Sequence, residues 1–358
     1  MINPLNILFT FLLSLAVTFF VLPRLSRIAS QIGLLDHPGI RKVHTKPKPL
    51  TGGIGIMIGI SISLLLFVPL HNLRGFYAGL LLLAIVGFLD DYSELSHRWK
   101  FAAQILAAIF MIYFSRTSLH NFGDLLSFGP IGFNRSAIII TIFSTVGVIN
   151  AINMLDGLDG LAGGVSLVAF ISFAVLSFIS NQTEFLLLSM VFCGALIAFL
   201  RYNWHPSSLF MGDAGSLTLG FTITFISIAI TQSKGSPVPP VAPLMIVAVP
   251  IVDTLTVMIK RMMKGKSPFH ADKGHLHHIL LRFGLTKRQT STVIILLSAI
   301  FSFAGIIGTV YKIPEYYLFF LFSVYFSLYF ISSFYIKEML IYLKKQKSHK
   351  KILSSQKP

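Results

Sequence analysis

Residues 136–180 read SAIIITIFSTVGVINAINMLDGLDGLAGGVSLVAFISFAVLSFIS. Two apolar runs, 136–154 and 160–180, flank a short polar segment that carries Asn150, Asn153, Asp156, Gly157, Asp159 and Gly160. A helix crosses the hydrocarbon core of a bilayer in roughly 20 apolar residues. The stretch therefore reads as a pair of membrane helices whose polar turn lies at one face. Working outward, nine further runs of similar character lie near 5–23, 52–70, 75–90, 101–115, 185–201, 215–231, 240–259, 290–311 and 314–336. Of the 358 residues, 54% are hydrophobic and only 12% charged, a balance that leaves too little polar surface to cover a water-soluble fold. The expected fold is all-α, a polytopic membrane protein with about 11 transmembrane helices. It forms one multi-span domain over 1–336, followed by a basic tail over 337–358.

Charge sets the expected orientation. The first run has no basic segment before it and no small-residue cleavage site, and Arg24 and Arg27 follow it, so it reads as a retained anchor with its start outside. The segments 24–50, 91–100, 201–214, 260–289 and 337–358 then face inward, and they hold 24 of the 29 Lys and Arg. Cytoplasmic loops carry such an excess, which places the C-terminus in the cytoplasm. The net charge of +16 is thereby explained without nucleic acid. Lys344, Lys345, Lys347, Lys350 and Lys351 in the tail suit anionic lipid headgroups. The single cysteine, Cys193, sits in an apolar run, which excludes a disulfide framework and a cysteine metal site.

Carboxylates at a membrane boundary are costly unless they bind something. Here Asp36, Asp90, Asp91, Glu94, Asp156, Asp159, Asp213, Asp253 and Asp272 all fall on inner loops or inner span ends. Alternating spans bring Asp90, Asp91, Asp156, Asp159 and Asp213 to one face, a cluster that suggests a hard divalent cation held by few carboxylates with substrate phosphates. Arg98 and Lys100 follow the first pair within one short loop, so a cation and a phosphate can share it. Asn150 and Asn153 supply paired donors and acceptors, and the glycines beside Asp156 and Asp159 let backbone approach a ligand.

Phe210-Met-Gly-Asp213-Ala-Gly-Ser216 stands where an inner loop enters a span, so a helix N-terminus faces inward there, a good anion site. Asp213 taken alone is also a normal helix cap. Residues 270–278 read HADKGHLHH, with Lys273 beside His275, His277 and His278. Without cysteine partners and with acids nearby, histidine contacts to phosphate fit this run better than structural zinc. The remaining histidines, His205 among them, read as ordinary loop residues. The basic, proline-stiffened segment 41–49, which includes Lys48, suits a headgroup or diphosphate. Asp253 either pairs locally or faces the site, and the sequence does not choose.

These four blocks, in this order over residues 30–285, resemble the polyprenyl-phosphate N-acetylhexosamine-1-phosphate transferases of glycosyltransferase family 4. The likeness is strongest to the bacterial branch that uses undecaprenyl phosphate and UDP-GlcNAc. The resemblance implies transfer of GlcNAc 1-phosphate onto undecaprenyl phosphate, with UMP leaving, as the first membrane step of a cell-envelope glycopolymer. The place of action would be the cytoplasmic face of the bacterial inner membrane. It also implies Mg²⁺, with Mn²⁺ able to substitute, bound by Asp213, with Asp90 and Asp91 serving the metal or the acceptor phosphate. Lys100 would meet a phosphate, and Phe210 would stack on uracil. Asn150, Asn153, Asp156 and Asp159 would form the nucleotide pocket, and Lys273, His275, His277 and His278 would line the diphosphate and sugar.

The phospho-MurNAc-pentapeptide branch fits less well, because this chain has Lys48-Pro49-Leu50-Thr51-Gly52-Gly53 where that branch carries a Thr-Pro-Thr-Met-Gly-Gly motif. The acidic block departs from the family's frequent closing Asp in having Glu94. The sequence leaves a homodimer open. A transporter is the competing class, since it too breaks spans and places acids in membrane helices, but its acids should lie near midplane rather than at one face.

Overall fold

The computed structural model of the chain describes residues 4–38, 46–68, 73–267, 274–336, 338, 339 and 341. Lys273, the segment 41–45 and the lysine-rich tail lie outside them. Helix α1 (Pro4–Ile32) leads into a two-residue antiparallel ribbon of β1 (Leu35–Asp36) and β2 (Lys48–Pro49). Then come α2 (Gly52–Phe67), α3 (Arg74–Ser93), α4 (His97–Phe114), α5 (Ala137–Leu155), α6 (Leu161–Ile179), α7 (Thr183–Asn203) and α8 (Asp213–Gln232). The chain closes with α9 (Val241–Ile246), α10 (Ala248–Met263), α11 (Leu276–Arg282), α12 (Lys287–Val310) and α13 (Glu315–Ser332).

The all-α expectation holds, and among the described residues eight helices are long and apolar enough to cross a membrane: α1, α3, α5 with the short turn before it, α6, α7, α8, α12 and α13. The other expected spans take different forms. Helix α2 is apolar but only 16 residues long. The run 101–115 is the later part of α4, whose first turn carries His97, Arg98 and Lys100. The run 240–259 is two helices that part at Val247. Pro250 causes the break, because it has no N–H for the carbonyl of Ile246 and its ring crowds that carbonyl. Pro23 has the opposite outcome in α1, which continues past the expected end at 23 to Ile32. The carbonyl of Phe19 that Pro23 cannot serve accepts instead from the Tyr202 hydroxyl at 3.2 Å.

Helix α8 is the centre of the bundle, with almost every side chain from Ala214 to Ile230 buried, and it packs on α2, α3, α5 and α6. Phe76 of α3 stacks on Phe225 with centroids 4.6 Å apart, an offset aromatic contact that helps lock the pair. In α13, by contrast, only Leu318 and Phe322 are buried, as expected of a peripheral helix facing lipid. Glycine sets the approach of the central helices. A Cβ on Gly87 would collide with the backbone of Asp213 and Ala214, so its absence lets the last turn of α3 lie against the first turn of α8. That contact delivers Asp90 and Asp91 to Asp213.

Candidate active site

A pocket of about 520 Å³ opens where the carboxyl ends of α3, α5 and α7 meet the amino ends of α8 and α12. Asp90, Asp91, Asp156, Asp159, Asp213, Phe210 and His278 all line it. At its base the Lys100 ammonium bridges two carboxylates, 3.0 Å from Asp90 Oδ2 and 2.9 Å from Asp213 Oδ2. The other oxygen of Asp213 accepts from Asn153 Nδ2 at 3.0 Å, and the same amide donates to Ser216 Oγ at 2.8 Å. Side chains from α4 and α5 thus fix the carboxylate at the start of α8.

Asp91 is engaged differently. Its Oδ1 accepts from the backbone N–H of Asp213 at 2.8 Å, and its Oδ2 from that of Ala214 at 3.2 Å. The first N–H groups of a helix lack partners within it. Gly212 precedes α8 at φ 74° and has no side chain to cap it, so Asp91 reaches across from α3 to do so. A Cβ at Gly212 would strike the Asp91 carboxylate, which makes glycine necessary there for space as well as for its dihedral.

On the opposite wall Asp159 accepts from His205 Nδ1 at 2.9 Å, from Ser207 Oγ at 2.8 Å and from Ser207 N at 3.2 Å. Lys48 donates to Ser207 Oγ at 2.7 Å, stands 3.8 Å from Asp159 and lies 4.7 Å from the centre of the Phe210 ring. Burial alone would raise the pKa of Asp159, but the bonds from His205 and Ser207 together with Lys48 outweigh it and hold the carboxyl below its usual range. Asp156, on the same loop, takes a backbone bond from Gly212 that does not offset its burial. Burial first, then the charge of Asp213, pushes it up to about 7. Phe210 is held by backbone on both sides, its N–H to Pro49 O and its carbonyl to Gly52 N, each at 2.9 Å.

The histidines divide by role. His275 Nδ1 is 2.9 Å from Asp253 Oδ2, His277 is buried against Gly157, and His278 faces the pocket. Burial drives the His277 pKa down to about 3, so this imidazole is neutral at physiological pH.

The glycosyl transferase family 4 model matches residues 73–231, which hold the three acidic blocks and Phe210. Over 89% of the chain and 92% of that protein, it is 35% identical to the undecaprenyl-phosphate alpha-N-acetylglucosaminyl 1-phosphate transferase of Haemophilus influenzae. Bacillus subtilis has a relative named as a probable undecaprenyl-phosphate N-acetylglucosaminyl 1-phosphate transferase, 36% identical over 84% of this chain and 85% of that one. The Escherichia coli K12 transferase with the Haemophilus enzyme's name is 32% identical over 85% and 84%. The chain belongs to glycosyl transferase family 4.

Several residues that family resemblance assigns to one pocket are spread over neighbouring positions. Asn150, expected in the nucleotide pocket, lines a smaller cavity of about 110 Å³ beside it, where it donates to Gln104 Oε1 at 2.7 Å. Asn153, Lys100 and Asp213 also border this second cavity, so Asp213 separates the two spaces. His275 and His277 stand behind His278 rather than on the pocket lining. Residues that sequence reading passed over complete the site: His205 and Ser207 on Asp159, Gln104 on Asn150, and Asn203, which donates to Leu209 O at 2.9 Å and accepts from Gly160 N at 2.9 Å. No local signal marks His205, which lies 46 residues from its partner.

The family resemblance implies a divalent cation, and the residues present can be compared with what such an ion needs. Among the described residues no three His, Cys, Asp or Glu side chains converge on one ion. Asp90 and Asp213 nonetheless aim oxygens at one point, where the Lys100 ammonium gathers them. Two hard oxygen donors with room for phosphates and water fit Mg²⁺. Asp91 fits less well, because both its oxygens already serve the α8 backbone.

Proposed function

We propose that this chain transfers GlcNAc 1-phosphate from UDP-GlcNAc to undecaprenyl phosphate, leaving undecaprenyl-diphospho-GlcNAc and UMP. The observation that carries this reading is the Asp90–Lys100–Asp213 cluster at the base of a pocket that Phe210 and Asp159 also line, with Lys48 beside both of them and off the lining. The names of the relatives supply the lipid and the sugar. The inward excess of Lys and Arg supports a cytoplasmic site in a bacterial inner membrane.

The aromatic face of Phe210, with Asp159 and Lys48 beside it, suits a uracil ring and its polar edge. The diphosphate then extends toward Asp213, with His278 on its flank. The smaller cavity beyond Asp213, walled by His97, Lys100 and Asn150, suits the acceptor phosphate. An oxygen of that phosphate attacks the sugar-side phosphorus, the bond to the bridging oxygen breaks, and UMP carries the electron pair away. Repulsion between two anions is the main barrier, so catalysis rests on positioning and charge neutralisation. Asp90 and Asp213 would hold Mg²⁺, which when bound screens the phosphate charge and aligns it. Lys100 then turns from the carboxylates to a phosphate oxygen. A strong base is not needed, because a phosphate monoester has a second pKa of about 6 and is largely ionised at pH 7. Asp91 acts by holding the α8 N-terminus, and hence Asp213, in place.

The direct test is incubation of purified protein with radiolabelled UDP-GlcNAc, undecaprenyl phosphate and Mg²⁺. Labelled lipid and stoichiometric UMP are expected. Label entering lipid only from UDP-MurNAc-pentapeptide would replace this reading with the other branch, and no transfer from any UDP-sugar would overturn it.

A further inference from the structure

Asp253 is 2% exposed, lies on α10, and is not part of the pocket lining. It is nevertheless heavily bonded among the described residues. Its Oδ2 faces His275 Nδ1 at 2.9 Å, and its Oδ1 accepts from Leu276 N at 2.8 Å and from the Tyr329 hydroxyl at 2.7 Å. Three separate parts of the chain, α10, the start of α11 and α13, therefore meet on one side chain. A buried ionised carboxylate is tolerated only when such partners replace its water.

What this knot holds is the stretch that bears His277 and His278. Leu276 is the first residue of α11, so Asp253 caps that helix from outside while fixing the residue before it. His277 is 3% exposed, its Nδ1 has no hydrogen-bond partner among the described residues, and its ring lies against Gly157, where a Cβ would come within 2.8 Å of Nε2. His278 packs on it, with ring centres 4.2 Å apart, and reaches the pocket. Helix α11 has 7 residues and shares few contacts with the bundle other than α12, too little by itself to fix a side chain for phosphate chemistry.

We infer that Asp253, steadied by Tyr329, is a positioning residue for the transfer: through His275 and the Leu276 N–H it sets α11 so that His278 meets the diphosphate of the UDP-sugar. This rests on the reading of His278 as part of the UDP-sugar site. It gives α13, which contributes nothing to the pocket lining, a role in the reaction.

The test compares Asp253→Asn, His275→Ala, their double variant and Tyr329→Phe with His278→Ala, each as full-length purified enzyme with folded fraction measured. Asp253→Asn keeps the shape but presents an N–H to His275, and is expected to lower kcat/KM for UDP-GlcNAc at least tenfold while the KM for undecaprenyl phosphate stays within twofold. His275→Ala should give a similar loss, and the double variant no more than the larger single one, because coupled residues are not additive. Tyr329→Phe removes one hydroxyl and should fold even if Asp253→Asn does not. A threefold or greater rise in the KM for UDP-GlcNAc is expected from it.

Losses that multiply in the double variant, or that follow the folded fraction with KM unchanged, would reduce Asp253 to a packing residue and overturn the inference. So would wild-type kinetics in Tyr329→Phe. If His278→Ala is impaired while the Asp253 and Tyr329 variants are not, the positioning inference alone fails. If His278→Ala is itself unaffected, the assignment of α11 to the UDP-sugar site fails with it.

Discussion

Asp91 of α3 caps the helix that begins with Asp213, its two oxygens taking the N–H groups of Asp213 and Ala214 at 2.8 and 3.2 Å. Two neighbouring acids in the sequence, Asp90 and Asp91, thus do unlike work: one faces the Lys100 ammonium and the other the backbone. Their variants should differ accordingly. Asp91→Ala removes a cap, which costs about 1 kcal/mol of stability, and lets Asp213 move. Melting temperature and turnover should therefore fall together, whereas Asp90→Ala should lower turnover with a smaller thermal shift. Equal thermal shifts, by scanning fluorimetry in one detergent, would contradict the division.

Asp213→Asn keeps the volume of the side chain and leaves Lys100 its bond to Asp90. Stability should change little, while transfer should drop below a tenth of wild type because a neutral amide is a poor ligand for Mg²⁺. Turnover above that level in the radiolabel assay would remove Asp213 from the metal role.

Chelation probes the same point without mutation. EDTA should abolish transfer, and Mg²⁺ or Mn²⁺, both oxygen-seeking ions, should restore it. Undiminished activity in EDTA would leave the Asp90–Asp213 pair as an ion-pair site for Lys100 alone.

Orientation can be read by labelling. Lys264 and Arg135 are both exposed, at opposite ends of the α10 and α5 helices from one another in the expected topology. With buried Cys193 replaced by serine, a cysteine at Lys264 should react only from the cytoplasmic side and one at Arg135 only from outside. The reverse pattern would invert the protein and move the pocket to the outer face.

The apolar runs and the acidic blocks were legible because each is local: a span is a length of hydrophobic chain, and Asn153, Asp156 and Asp159 lie within one turn and loop. The partners that give those acids their roles were not. Asp213 meets Lys100 across 113 residues and Asp91 across 122, and Asp159 meets His205 across 46. Nothing in a stretch of sequence records which charged ends a bundle will bring together. The role of Asp253 is hidden in the sequence for the same reason, since its partners His275, Leu276 and Tyr329 lie 22, 23 and 76 residues on. The broken α9–α10 pair had a local signal in Pro250, but hydropathy averaged over a window passes over one proline.

Phe210 offers the test of nucleotide recognition. It lines the pocket with Lys48 4.7 Å from its ring centre, and its backbone is fixed by Pro49 and Gly52 rather than by its own side chain. Truncation should therefore leave the local backbone in place while removing a flat apolar face. Stacking of a base on an aromatic ring is worth roughly 1–3 kcal/mol. Uracil lies far from the bond that breaks, so its contact should be similar in ground and transition states, and uniform binding of that kind appears in KM rather than kcat. Phe210→Ala should raise the KM for UDP-GlcNAc about fivefold to a hundredfold, with kcat and the KM for undecaprenyl phosphate little changed. A phenylalanine that served packing would behave otherwise, because a cavity in the core lowers stability by several kcal/mol and reduces the folded fraction without altering the KM of the molecules that remain folded. Kinetics on purified protein, normalised to the folded fraction, separate the two, and an unchanged KM with a lowered melting temperature would take Phe210 out of the uracil site.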